Sequence, residues 1–258
     1  MLLRRFAKHF REQDWTAISI ELVIVVIGVY MGLQVQNWNQ ARMDRNAAED
    51  YRGRLIEELR RNQHNLQSRR GYYVEVQRRA QATLDALEAP ANTLGASFIT
   101  DAYMASQAWS PAVDRGVYDE VLDAGAIEAT LSVESRRRLS NLLNVFESLK
   151  PTLADDPDYR KLVRAHIPIA LQRDIETGCG DVVTADSDGA ISISWPECAP
   201  EWDPSATRAG VDTLLAAPGL RTSLTFRLSN VETKLRVLGR NINRCGGLIE
   251  HLEQEHAG

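Results

Sequence analysis

Cysteine is scarce: the 258 residues contain three, too few to build a disulfide scaffold in place of a hydrophobic core. Histidine is nearly as sparse. His9, His64, His166, His251 and His256 show no HExxH, CxxC or paired His/Cys spacing, so no metal site is read from them. No G-x-S-x-G elbow, phosphate loop or dinucleotide fingerprint is present, and no catalytic residue or cofactor is assigned. Basic residues do not dominate either. Thirty Lys and Arg stand against 35 Asp and Glu, a formal net charge of -5, which argues against a nucleic-acid partner. Nine prolines and 16 glycines exclude collagen-like and low-complexity chains. With 44% hydrophobic residues the chain is not a disordered one.

What the sequence does contain is a long apolar run, AISIELVIVVIGVYMGLQV, from Ala17 to Val35, with Glu21 as its one charge. At ~1.5 Å per residue it spans about 28 Å, close to the hydrocarbon thickness of a bilayer. Trp15 and Trp38 flank it, where aromatic rings favour the membrane–water boundary. A core helix rarely stays apolar on every face over this length. A cleaved signal peptide would need small residues at a cleavage site, and QVQNWNQAR follows instead. The expectation is a transmembrane anchor over 17–36, preceded by a short cytoplasmic tail, 1–16, too short to fold as an output domain. Arg4, Arg5, Lys8 and Arg11 before the run outnumber Arg42, Arg45 and Arg52 after it, a small positive-inside bias. That places 37–258 outside the cytoplasm.

The anchor carries a patterned face. At 100° per residue Ala17, Glu21, Gly28, Gly32, Val35 and Asn39 fall along one side of the helix. Gly28 and Gly32 form a small-xxx-small pair that lets two helix backbones approach closely in lipid. A carboxylate on the same stripe strengthens the reading of this face, Glu21–Gly28–Gly32–Asn39, as a helix-association surface. Chance glycines, and a Glu21 that reaches back to the headgroups, are the bland counterparts.

The segment ELVIVVIGVYMGLQVQNWNQAR, Glu21 to Arg42, resembles the N-terminal signature of a family of uncharacterised bacterial single-pass membrane proteins. In that family an E-x-x-L-V-V-I-G-like run precedes L-Q-x-x-N-W-N and a long charged helix. A looser similarity covers RGVYDEVLDAGAIEA, Arg115 to Ala129. The resemblance implies a bacterial source and a single-pass topology; it carries no activity and no catalytic residues.

Beyond the anchor, Asn39 to Leu87 reads as one helix without proline, its apolar positions three or four residues apart from Tyr51 to Leu87 with a polar gap at Arg69 and Arg70. Glu88-Ala89-Pro90 should end it. After Pro218-Gly219, positions Leu228, Val231, Leu235, Leu238, Ile242, Cys245, Ile249 and Leu252 follow a 4-3 rhythm, a coiled-coil-like seam. The two long helices should therefore pair antiparallel. Shorter helices are expected at Thr100–Ala108, at Val113–Asp123, after Ser132 as N-cap and closed by Pro151, from Asp156-Pro157 with a kink at Pro168, and at Thr207–Ala216.

The exception to helix is 178–204. Val182–Thr184 and Ile191–Trp195 alternate around Asp186-Ser187-Asp188-Gly189, a hairpin signal. Cys179 and Cys198 bracket it and are expected to be bridged in an oxidising compartment. Trp195 and Trp202 flank this loop: they are partner contacts if it projects, and fill the core beneath it if it does not. Asp181, Asp186, Asp188 and Gly189 hint at calcium, but the position that needs a bidentate Glu holds Trp195, so that reading fails.

The fold expected is mainly α: an N-terminal transmembrane helix continuing into a long-helix antiparallel bundle, with a small disulfide-closed β-hairpin. The function expected is a membrane-anchored interaction or sensing module in a bacterial inner membrane, N-terminus cytoplasmic and C-terminal domain periplasmic. The lipid bilayer, a second copy and a membrane or periplasmic protein are its expected partners. A membrane-tethered envelope hydrolase, its site assembled from distant residues such as His166, is the alternative.

Overall fold

The computed structural model describes residues 15–109, 113–154 and 158–257. Most of the expected cytoplasmic tail, the Ser110-Pro111 break and the Asp156-Pro157 helix start lie outside the described residues, as do the side chains of Trp15, Ala17, Leu149 and His256. The chain divides into two compact units, Met1–Tyr51 and Arg52–Gly258.

Helix α1 runs over Trp15–Ala86. Its portion in the first unit is the one described helix long and apolar enough to cross a membrane. Side chains from Ile20 to Val35 lie exposed around the whole circumference: Ile20, Leu22, Val26, Ile27, Tyr30, Met31 and Leu33 are each more than half exposed. Such a surface is stable only in an apolar solvent or under a partner.

The second unit is a helical bundle. After a single 3-10 turn at Ala91–Thr93 come α2 (Ala96–Ala105), α3 (Gly116–Asp123), α4 (Ile127–Thr130), α5 (Val133–Ala154), α6 (Asp158–His166) and α7 (Ile169–Cys179). Strands β1 (Val182–Ala185) and β2 (Ile191–Ser194) follow, then α8 (Pro204–Leu215) and α9 (Leu220–Ala257). The α1 segment from Leu55 onward and α9 are antiparallel neighbours. Cys245 Sγ lies 3.2 Å from the Leu59 carbonyl, Gln63 Nε2 donates to the Ile242 carbonyl at 3.2 Å, and at the other end Arg221 bonds the Leu87 carbonyl and the Glu88 carboxylate.

Two hydrophobic clusters hold the bundle. One joins Leu55, Leu59, Leu66, Tyr73 and Val76 of α1 to Leu139, Leu142 and Phe146 of α5 and to Val231, Leu238, Cys245 and Leu252 of α9. The other gathers Phe98, Ile99 and Tyr103 of α2, Tyr159 and Val163 of α6, Leu171 and Ile175 of α7, and Val211 and Leu214 of α8.

The buried stripe on α9 is not quite the one that hydrophobicity picks out. It steps through Leu224, Arg227, Val231, Lys234, Leu238, Asn241, Cys245, Leu248 and Leu252, all buried. Leu228, Leu235 and Ile242 flank it, only partly covered. On α1 the matching stripe is Leu55, Leu59, Asn62, Leu66, Arg69, Tyr73, Val76, Ala80 and Thr83. Arg69 therefore fills the polar gap, buried rather than solvated.

Local signals mostly act where expected. Ser132 caps α5, its Oγ accepting from the Ser135 amide at 3.1 Å. The helix expected from Thr207 starts earlier, at Pro204, where Asp203 caps α8 and accepts from the Ser205 amide at 2.8 Å. Pro151 does not close α5, which continues to Ala154; so near the helix end its missing N–H forfeits a single bond. Pro168 breaks rather than kinks, standing as the N-terminal cap of α7 after α6 has ended.

Candidate functional site

Among the described residues, nothing covers the face predicted on the anchor, Glu21, Gly28, Gly32 and Asn39. A Cβ placed on Gly28 or Gly32 meets nothing within 4 Å, and Asn39 Nδ2 reaches only Met43 Sδ, 4.0 Å away on its own helix. Both glycines sit in regular helix, so what they supply is a shallow strip rather than an unusual backbone.

The hairpin is built as its sequence demands. Val182 pairs with Ser194 and Ala185 with Ile191, antiparallel. Asp186 Oδ1 accepts from the amides of Asp188 at 2.9 Å and Ala190 at 2.8 Å, and Gly189 takes φ 81°, the three-residue turn with a left-handed third position. With those amides satisfying it, the Asp186 carboxylate is a turn-former. Cys179 and Cys198 are bridged, their Cα atoms 5.1 Å apart, closing the excursion at its base. Trp195 belongs to the core beneath: its ring lies 4.9 Å from that of Tyr72, and it packs on both clusters. Trp202 is only partly covered and borders a recess of about 410 Å³ with Asp174, Glu197, Glu201 and the disulfide.

A third feature escapes sequence reading. Three cations, Arg69, Arg227 and Lys234, are buried at mid-bundle. Arg227 Nε donates to the Ala105 carbonyl at 3.1 Å and its Nη2 to the Gln107 carbonyl. Arg160 Nη1 reaches the Ser106 carbonyl at 3.3 Å, and Arg164 Nη2 the Gln107 Oε1 at 3.1 Å. Tyr73 Oη donates to the Trp109 carbonyl at 3.1 Å. The α2 C-terminus thus directs its otherwise unsatisfied carbonyls, the negative end of the helix dipole, at arginines. Arg69 lies 4.2 Å over the Trp109 ring and Lys234 5.3 Å over that of Tyr73, where the ring faces attract positive charge. Burial lowers the Arg69 guanidinium to about 10 and depresses that of Arg227 as well, while burial raises the Tyr73 phenol. The layer clamps the chain leaving α2 and fixes the axial register of α1 against α9; nothing in it presents a reactive group to solvent.

A depression of about 770 Å³ lies between α5 and α9. Leu142, Val145 and Leu248 floor it, and Arg137, Arg138 and Arg244 line its rim. Glu134 pairs with both Arg137 and Arg138, consistent with a solvated surface, and Arg136 turns away to Glu128.

Among the described residues, no three His, Cys, Asp or Glu side chains converge as a metal-binding group. His166 Nδ1 lies 2.7 Å from the Leu162 carbonyl of its own helix. His64 Nε2 and Ser192 Oγ are 3.3 Å apart on the surface; a catalytic pair would need a third group to orient the imidazole. His251 Nε2 sits 3.4 Å from Glu255. The buried Cys245 thiol is pushed up to about 12 by its burial, which suits packing and not nucleophilic chemistry.

Comparison of the chain with protein-family models, with curated proteins and with solved structures finds no match.

Proposed function

We propose that the chain is a membrane-anchored helical interaction module of a bacterial inner membrane. Residues 17–36 cross the bilayer, the N-terminus is cytoplasmic, and the bundle lies in the periplasm. The observation that carries this reading is the continuous exposure of apolar side chains on all sides of α1 from Ile20 to Val35, whereas the second unit encloses most of its large apolar residues in two clusters and exposes the rest singly or in pairs. Lipid is the solvent that removes that exposure. The closed Cys179–Cys198 bridge supports an oxidising compartment for the bundle. The sequence resemblance from Glu21 to Arg42 supports the bacterial, single-pass assignment.

In lipid, the strip of Gly28 and Gly32 with Glu21 beside it fits a second copy of the same helix. Information gathered by the bundle passes to a separate membrane or periplasmic protein through association. Crosslinking the full-length chain in native membranes tests this. A self-crosslinked species that disappears when Gly28 and Gly32 are replaced by leucine, with a distinct heterologous partner retained, is the expected result. A monomer without either adduct contradicts the reading.

A further inference from the structure

The two edges of the hairpin differ. The bond from the Asp186 amide to the Ala190 carbonyl at 3.1 Å makes that pair a hydrogen-bonded one. By antiparallel alternation, Thr184–Ser192 and Val182–Ser194 are hydrogen-bonded pairs too. The N–H and C=O groups of Val183 and Ala185 on β1, and of Ile191 and Ile193 on β2, then point away from the partner strand. On β2 this is visible directly: the outward Ile191 amide donates to Asn65 Oδ1 of α1 at 2.7 Å, and Ile193 packs on the core. That edge is covered. On β1 the corresponding edge is open among the described residues, since the sheet has two strands and every β1 residue is exposed. Val182 and Val183, on opposite faces, are each 50% exposed.

An open edge backed by half-exposed valines is a template for another strand. Its charges choose among occupants. Asp181 precedes β1, and Asp186 and Asp188 follow it. If a second copy paired antiparallel, with its Ala185 opposite Val183, each Asp181 would fall between Asp186 and Asp188 of the other copy. Parallel pairing would set Asp181 beside Asp181. Like charges so placed are destabilising, so the edge is closed to itself. It is complementary to an extended segment that is apolar or β-branched at its centre and basic at both ends. The hairpin is also held ready for pairing, tied to α1 at Asn65 and closed by the disulfide at its base, so little ordering remains to be done on binding.

We infer that the outer edge of β1 docks an extended, basic-flanked segment of a partner protein by strand addition. The inference builds on the interaction module proposed above only in supposing a protein partner. The probe is a synthetic peptide with a Thr-Val-Thr-Val-Thr centre and Lys-Arg at each end, titrated onto the full-length chain in nanodiscs; an otherwise identical peptide ends in Asp-Glu. The basic peptide should bind at least tenfold more tightly, weaken with added salt, and slow hydrogen exchange at the Val183 and Ala185 amides. Val183→Pro removes an outward donor and leaves the β1–β2 ladder its bonds, so it should abolish binding with helicity and the Cys179–Cys198 bridge retained. Asp181→Asn with Asp188→Asn should erase the preference between peptides while leaving the hairpin folded. Absence of binding, equal binding of both peptides by the unsubstituted chain, protection elsewhere than β1, or hairpin-to-hairpin crosslinks between copies would each overturn the inference. None of these outcomes bears on anchorage or on glycine-dependent self-association, which are read separately.

Discussion

Arg227 Nε stands 3.1 Å from the carbonyl oxygen of Ala105, the last residue of α2, and the same guanidinium bonds the carbonyl of Gln107. A fully buried cation is therefore neutralised by the end of a helix rather than by a carboxylate. Removing it leaves two acceptors without donors inside the bundle, each worth about 1–3 kcal/mol, offset in part by relief of the buried charge. Arg227→Met should destabilise the bundle by roughly 2 kcal/mol. Arg227→Lys should not restore it, because one ammonium lacks the fork geometry that reaches two carbonyls. Denaturant unfolding of both variants measures this; an unchanged midpoint in either would contradict it.

The same residue shows where the sequence was readable and where it was not. The antiparallel long helices, the Ser132 cap, the hairpin and the disulfide all rest on local or periodic signals, and each is present. Hydrophobicity alone sets the α9 seam through Leu228, Leu235 and Ile242, whereas Arg227, Lys234 and Asn241 occupy buried positions seven residues apart. A cation in a sequence is read as solvated. What makes it inward is a partner contributed by distant chain, here the α2 carbonyls and the Trp109 and Tyr73 rings, and no spacing rule announces that. The open β1 edge was hidden for a related reason: the alternation marks a strand, but only Asn65, far away in sequence, shows which edge is covered.

Glu58 is buried and accepts from the Val117 amide at 2.6 Å. Burial raises its carboxyl above the ordinary 4.5, and nearby Asp114 adds to this, against the opposing bond from Val117. The fold therefore holds this proton more tightly than the unfolded chain. Its stabilising contribution is full below 4.5 and is lost as pH rises through the raised value. Glu58→Gln, which keeps the acceptor, should raise Tm relative to the unsubstituted protein at pH 7, with the gap closing toward pH 4. A gap that widens on acidification would contradict the assignment.

With its thiol near 12, Cys245 is about one part in ten thousand thiolate at pH 8, and it is fully covered. Iodoacetamide should label no cysteine in the native protein, one after denaturation and three after denaturation with reductant. Mass spectrometry counts the adducts; two or more on the denatured, unreduced chain would show the Cys179–Cys198 bridge to be absent.

Leucine at Gly28 and Gly32 should weaken self-association in membranes by about tenfold, since close helix approach in lipid depends on small side chains. The same variants should leave the unfolding of the bundle unchanged, because both positions lie in the first unit and a Cβ at either meets nothing within 4 Å in the single chain. Unchanged dimer crosslinking would remove the glycine strip from the proposal.

Where the bundle resides is tested most directly by a C-terminal reporter that becomes active only in an oxidising compartment, fused after Ala257 and read in intact bacterial cells. A membrane anchor over 17–36 with an outward bundle predicts strong activity in the membrane fraction. Activity lost with the reporter, matched by full signal from a cytosol-only reporter at the same position, would contradict it.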